Sequence, residues 1–390
     1  MDSEISVKTK KNTHQRIFGL DLLRSIAIIL VLITHTLPIL DRSNAYYKLP
    51  VYTGFIGVEL FFILSGFLIG TILIKIHNRD GEFKFTRVKY FWIRRWFRTL
   101  PNYYLMYIVY AVMFFRVNHI LVFTHIKYLS YLVFLQNTFS FHPHDFFLVA
   151  WSLSIEEWFY ITFPLILFFI SKFFTRNKMK SFFITILVFI IVSLLARFYS
   201  ALNLNTEWDQ GFRKFVPLRL DGIGFGVLIA FVKFYYPKFW NEKIKIYALS
   251  GGLLFILLMF LFNLYYVSIF DPIKLDTEIH ANVFLKTIFF TLISFSIALL
   301  LPYFYSLKIR PASVILIAVT FISEVSYSVY LNHILFMHLC EHFIKSNLIN
   351  FISVWVLTFT IGYFQYNFFE KKMTALRNRF GSKADAVGVN

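Results

Sequence analysis

Asp21, Arg24 and His35 stand inside an otherwise apolar run, residues 17–40, where a lipid-facing segment should carry no ionisable side chain. Such groups are costly in a bilayer, and they turn toward a cavity or a function. Arg24 and His35 are eleven residues apart, about three helical turns, so they share a face about 16 Å apart along the axis. Asp21 and Arg24 are three apart and can pair. A histidine there suits a general base or a nucleophile, because its pKa lies near working pH. The same three residues also fit an ion pair near the membrane boundary beside an unrelated interfacial histidine.

Four further groups stand out. Glu59 sits among aromatics with no local cation, in a segment whose Gly57, Ser65, Gly66 and Gly70 permit close helix approach. It reads as a buried carboxyl, or as a carboxylate that orients a histidine from another helix. Glu156 and Glu157 follow Trp151-Ser152-Leu153-Ser154 at the start of an apolar segment. They fit a helix N-terminus, with Ser152 or Ser154 as its cap, and equally a functional carboxylate. Arg94, Arg95 and Arg98 cluster with Trp96 and Phe97 ahead of Pro101. That cluster serves either membrane topology or phosphate binding by guanidinium groups. Finally, Arg219-Leu220-Asp221 precedes one apolar run, while Glu324, Ser326, Tyr327, Tyr330, His333 and His338 lie in another. No His/Asp/Glu spacing points to a metal, and His333 and His338 do not share a helix face. The lone Cys340 excludes an intrachain disulfide and reads as packing.

The elements that would position these groups are membrane helices. The chain is 58% hydrophobic and 15% charged, with a mean hydropathy of +0.64. Soluble domains run at about 45–50% apolar and about 25% charged, and apolar runs recur along nearly the whole length here. The reading is an all-α polytopic helix bundle with ten spans: 17–39, 53–74, 99–117, 148–171, 181–202, 216–235, 246–267, 282–305, 312–340 and 348–369. The stretch 119–137, interrupted by His119, His125 and Lys127, reads as a re-entrant or surface-lying helix. Residues 1–16 form a cytoplasmic segment, 17–372 one transmembrane domain, and 373–390 a disordered cytoplasmic tail. Lys and Arg set the orientation. Of the 39, 27 fall on connections that share a side with both termini, 9 fall opposite, and 3 lie inside spans. Both termini are therefore expected in the cytoplasm. The net charge of +18 is mostly a topology signal, and nucleic acid is not an expected partner.

Taken together, these segments resemble the membrane-bound acyltransferase family 3, which includes many bacterial polysaccharide O-acetyltransferases. The likeness rests on order and spacing over roughly residues 16–372. Gly19-Leu20-Asp21-Leu22-Leu23-Arg24 through His35 resembles the family opening, with ten residues between its arginine and its histidine. Gly57-Val58-Glu59 through Gly66-Phe67 is similar to the second signature. Arg95-x-x-Arg98 with Pro101 resembles the basic loop, and Trp151-Ser152-Leu153-x-x-Glu156-Glu157 the fourth-span signature. Arg219-Leu220-Asp221-Gly222, Ser326-Tyr327-Ser328-Val329-Tyr330-Leu331-x-His333 and Glu370 resemble later ones. Glu59 stands where the family commonly has Asp, Ser25 where Gly is usual, and Lys371-Lys372 in place of Arg-Pro. No hydrolase-like soluble domain follows the last span, so a stand-alone version is expected.

The resemblance implies an O-acetyltransferase in a bacterial inner membrane, with acetyl-CoA as donor and a hydroxyl of lipopolysaccharide O-antigen or exopolysaccharide as acceptor. Membrane lipids, an acyl-CoA and a carbohydrate are the expected partners, with no metal. Arg95 and Arg98, with Arg94 beside them, would hold the donor phosphates. His35 would act as general base or carry the acyl group briefly. Arg24 would anchor the donor or neutralise the oxyanion, and Glu156 and Glu59 would orient the imidazole. A transporter or flippase of a lipid-linked glycan is the competing class. A glycan polymerase would call for a long polar external loop, whereas 118–147 is short and largely apolar.

Overall fold

The computed structural model describes residues 16–40, 48–139, 146–204, 206, 208–267, 283–310 and 313–377. The expected N-terminal segment before residue 16 and the tail beyond residue 377 lie outside the described residues. Ten long helices carry the fold: α1 (Phe18–Leu40), α2 (Lys48–His77), α3 (Phe85–Asn118), α4 (Ala150–Phe169), α5 (Lys178–Asn203), α6 (Leu220–Tyr235), α7 (Ile244–Val267), α8 (Ile288–Ser306), α9 (Val314–Phe343) and α10 (Asn347–Gln365). No strand occurs among the described residues. Asn177 caps α5 by accepting from the Lys180 N–H at 2.9 Å, and Ser313 caps α9 through the Leu316 N–H at 3.1 Å.

Eight helices among the described residues are long and apolar enough to cross a bilayer. The expected spans at 99–117 and 216–235 differ for separate reasons. α6 is a helix of only 16 residues. α3 begins at Phe85, so the stretch expected as a basic loop is helical and Arg94, Arg95 and Arg98 lie on a helix surface. Good helix formers propagate through them, and Pro101 stays inside the helix. The stretch 119–137 is not one surface helix. It breaks into short turns at Val122–Thr124, Ile126–Leu129 and Ser130–Val133, with His119 and Phe134 in the left-handed region. Its backbone is tied down by α3, whose Tyr103, Tyr104 and Tyr107 hydroxyls donate to the Tyr131, Leu132 and Tyr128 carbonyls. α4 starts at Ala150 without a side-chain cap, so neither Ser152 nor Ser154 caps it. The Ser154 hydroxyl donates instead to the Phe134 carbonyl at 2.6 Å.

In lipid the hydrophobic effect does not pull helices together, so association rests on close packing and internal polar contacts. α2 and α6 cross with their backbones almost touching. A methyl group on Gly66 would lie 2.0 Å from the Ile223 carbonyl oxygen, and one on Gly226 would lie 2.2 Å from that of Ile63. This crossing brings Glu59 of α2 to Arg219 at the start of α6, and the Glu59 carboxylate accepts from that guanidinium. Beside it, Arg197 of α5 forms a two-pronged pair with Asp221 at 2.8 and 2.6 Å. All four side chains are buried. The ring of Phe290 lies 4.2 Å from the Arg219 guanidinium carbon. On the outside, α7 turns Leu249, Leu253, Leu257, Phe260 and Leu264 toward lipid. Cys340 is buried in α9, and Ile39 and Val354 share its small apolar cluster.

Candidate active site

Two cavities in the bundle share part of their lining. The first holds about 890 Å³ of empty space, its open mouth included. Arg24 of α1, Arg95 and Arg98 of α3 and Glu156 of α4 line it. Its carboxylates are already engaged. The Tyr160 hydroxyl donates to Glu156 at 2.5 Å, and Arg95 lies 3.6 Å from the same oxygen. Glu370 accepts from Ser328 at 2.7 Å and Asn102 at 3.2 Å, while Glu324 pairs with Arg16. The arginines are less fully used. Arg98 is exposed and makes no hydrogen bond or ion pair among the described residues, and Arg95 Nε is buried without a partner. Arg24 reaches Ser323 at 3.3 Å and Asp21 at 3.7 Å, so the expected Asp21–Arg24 pair is present. Unspent, fork-shaped donors converging on a cavity are suited to a phosphate. Arg94 is not among them. It does not line the cavity, and it donates to the Tyr90 hydroxyl at 2.7 Å.

The second cavity holds about 1350 Å³ of empty space, open solvent included, and contains His35. Trp151, Trp208, Asp209, Arg213 and Lys214 also line it. Asp209 pairs with both Arg213 and Lys214. Burial alone would raise its carboxyl, but the two cations outweigh burial and hold it well below the usual carboxylate range. Val58 and Tyr330 line both cavities and form the wall between them. The Tyr330 hydroxyl meets the Ser152 hydroxyl at 2.6 Å and the Val149 carbonyl oxygen at 3.2 Å.

His35 is oriented differently from the expectation. No carboxylate of the described residues lies within 4 Å of its ring nitrogens, because Glu59 is spent on Arg219 and Ser294, and Glu156 on Arg95 and Tyr160. Its partners are the Val31 carbonyl, 2.9 Å from Nδ1, and His333 Nε2, 3.3 Å from the same atom. His333 Nδ1 in turn lies 2.7 Å from the Tyr330 carbonyl oxygen. Carbonyls only accept, so both neutral rings carry their proton on Nδ1. The His35 Nδ1–H is then shared between Val31 and the His333 Nε2 lone pair, which leaves His35 Nε2 free to take a proton. The motif ending at His333 marked that residue, but no spacing along one helix shows that α1 and α9 bring two imidazoles to a ring separation of 5.0 Å. Among the described residues no group of three His, Cys, Asp or Glu side chains could hold a metal ion.

Comparison with known proteins identifies the family. The sequence model of the acyltransferase domain family, acyltransferase 3, matches residues 17–364. A Staphylococcus aureus (strain COL) protein named "Putative O-acetyltransferase" is 28% identical over 310 residues, which is 72% of this chain and 48% of the relative. A Bacillus subtilis (strain 168) protein named "Putative peptidoglycan O-acetyltransferase YrhL" is 36% identical over 171 residues, 40% of this chain and 25% of its own length. The O-acetyltransferase OatA of Staphylococcus aureus (strain NCTC 8325 / PS 47) is 28% identical over 241 residues, covering 58% and 36%. The chain thus spans about half the length of the first of these relatives and less of the others. No solved structure matches it. With eight helices among the described residues long and apolar enough to cross a bilayer, this is an integral membrane protein, and the chain belongs to the acyltransferase 3 family.

Proposed function

We propose that this protein is a membrane O-acetyltransferase that moves an acetyl group from acetyl-CoA, held in the arginine cavity, to a carbohydrate hydroxyl in the histidine cavity. The observation that carries this reading is the pair of cavities with one shared wall, basic on one side and holding His35 on the other. The family membership and the names of the relatives support the acyl group and the oxygen acceptor. The distribution of Lys and Arg supports a cytoplasmic donor face and an external acceptor face.

In this mechanism Arg98 and Arg95 bind the donor phosphates, and Arg24 binds nearer the thioester. His35 Nε2 takes the proton of the acceptor hydroxyl as its oxygen attacks the thioester carbonyl carbon. The imidazolium that forms is steadied at Nδ1 by Val31 and His333, so His333 is a positioning residue. Collapse of the tetrahedral intermediate breaks the carbon–sulfur bond, and the leaving thiolate collects the proton from His35. The acceptor is a cell-surface polysaccharide, with lipopolysaccharide O-antigen, exopolysaccharide and peptidoglycan as the classes to compare. The membrane is the bacterial cytoplasmic membrane.

The test supplies labelled acetyl-CoA and crude glycan of each class to purified protein in nanodiscs. Label transfer and stoichiometric CoA release by wild type, both lost in His35→Ala, are expected. Movement of a lipid-linked glycan across liposomes without thioester consumption would replace this reading with the transporter class.

A further inference from the structure

The wall between the two cavities holds a polar group that the mechanism above leaves unused. Tyr330 lines both cavities, and the carbonyl under attack has to sit where donor and acceptor meet. From the structure we infer that the Tyr330 hydroxyl is the oxyanion donor of the transfer reaction, an inference that rests on the acetyltransferase reading.

The hydrogen bonds around this hydroxyl fit the role. Ser152 and Tyr330 hydroxyls lie 2.6 Å apart. The Ser152 hydroxyl's other acceptor, the Val149 carbonyl, is 3.4 Å away, a long contact, so Ser152 is suited to donate to Tyr330 and leave the phenol proton for a different acceptor. The phenol's other protein acceptor among the described residues is the same Val149 carbonyl at 3.2 Å, also long for an O–H donor. A carbonyl oxygen arriving at the wall offers a better one. The phenol is held in place for this task. Its ring packs edge-on to Phe61 at 6.1 Å and against His333 at 5.8 Å. His333 is also the ring that holds His35, so base and oxyanion donor are fixed by the same helix turn of α9. A donor set before the reaction begins needs no reorganisation as charge develops.

The electron accounting is simple. The acceptor oxygen bonds to the thioester carbon, the carbonyl π pair moves onto oxygen, and the Tyr330 O–H donates a hydrogen bond to that oxygen without giving up its proton. Collapse restores the carbonyl and expels the thiolate. Arg24 keeps its expected place beside the donor on the far side of the wall.

The experiment uses the full chain in nanodiscs, with acetyl-CoA and the active glycan, and measures donor Kd and single-turnover rate for each protein. Tyr330→Phe keeps the ring and its packing and removes the hydroxyl. Its rate is expected to fall by about 10²–10³ with donor affinity unchanged. Ser152→Ala removes only the partner of the phenol and gives a smaller loss. The decisive variants replace Tyr330 with 3-fluorotyrosine and 3,5-difluorotyrosine, which raise phenol acidity at nearly constant size. A rate that changes with phenol acidity supports an oxyanion donor. A flat series, or wild-type turnover in Tyr330→Phe, overturns the inference and leaves Tyr330 as a wall. A wild type that transfers nothing from any acyl-CoA removes the acetyltransferase reading itself, and this inference falls with it.

Discussion

Removing the Glu59 carboxylate should unfold the bundle before it affects the chemistry. Glu59 and Arg219 are 1% and 0% exposed and face each other beside the close α2–α6 crossing. Arg219 has no reserve, since its Nε and Nη1 are buried without partners. With Glu59→Leu the guanidinium loses its hydrogen-bonded counter-charge and keeps the face of Phe290, at 4.2 Å, and the more distant pull of Asp221, which Arg197 already engages. Breaking one side of a buried pair costs about 3–5 kcal/mol, because the other charge is left stranded. Arg219→Leu should cost a similar amount by stranding Glu59, which would keep only the Ser294 hydroxyl at 2.9 Å. The double variant strands neither charge, and apolar replacement of a whole buried pair is often neutral. It should therefore be more stable than either single variant, a coupling well above the roughly 0.5 kcal/mol seen for independent sites. The assay is reversible denaturant unfolding in mixed micelles, followed by tryptophan fluorescence. A double variant as unstable as the two single losses added together would refute the argument. So would a Glu59→Leu protein that stays fully stable but transfers nothing, because that pattern belongs to a carboxylate acting on the substrate.

Three further outcomes follow from the same contacts. His333→Ala should lower kcat by about 10²-fold, the lower end for a general base losing its orientation, and leave donor KM alone. His333→Gln, whose amide oxygen can accept from His35 Nδ1, should recover part of that loss in the pH–rate profile. Gly226→Val should prevent α2 and α6 from docking, because even a Cβ there would fall 2.2 Å from the Ile63 carbonyl oxygen; limited proteolysis in membranes should show a loosened bundle, and wild-type resistance would contradict the crossing. Arg94→Ala should leave donor affinity unchanged, since Arg94 bonds Tyr90 outside the cavity, and an affinity loss as large as that of Arg98→Ala would show that Arg94 belongs to the phosphate site after all.

The helices and the charged residues within them are legible in the sequence for a clear reason. Lipid imposes a length and an apolar composition on each span, and it makes every stray charge conspicuous. Arg24, Glu59, Glu156 and His35 stood out on that ground alone. Partners across helices were not legible. Helical spacing relates residues three or four apart, and it says nothing of which side chain on another helix will meet them. Glu59 therefore looked available for a histidine, while its real partner Arg219 lies 160 positions away. His333 stood only in a motif until α9 was seen beside α1. The basic stretch around Arg94 reads as a loop, because clustered charge between apolar runs ordinarily marks a connection. Helix α3 instead carries Arg95 and Arg98 into the bundle, their charges turned to a cavity rather than to lipid.

The central claim is a division of labour across the shared wall, and one paired measurement tests it most directly. Acetyl-CoA Kd and single-turnover transfer are measured for wild type, His35→Ala and Arg98→Ala in nanodiscs. His35→Ala should bind donor as wild type does and transfer nothing. Arg98→Ala should bind donor about 10–100-fold more weakly, the loss of one charge-assisted contact worth about 1.5–3 kcal/mol, and should recover its transfer rate at saturating donor. Loss of donor binding in His35→Ala, or a turnover defect in Arg98→Ala that saturating donor does not repair, would contradict the assignment of the two cavities.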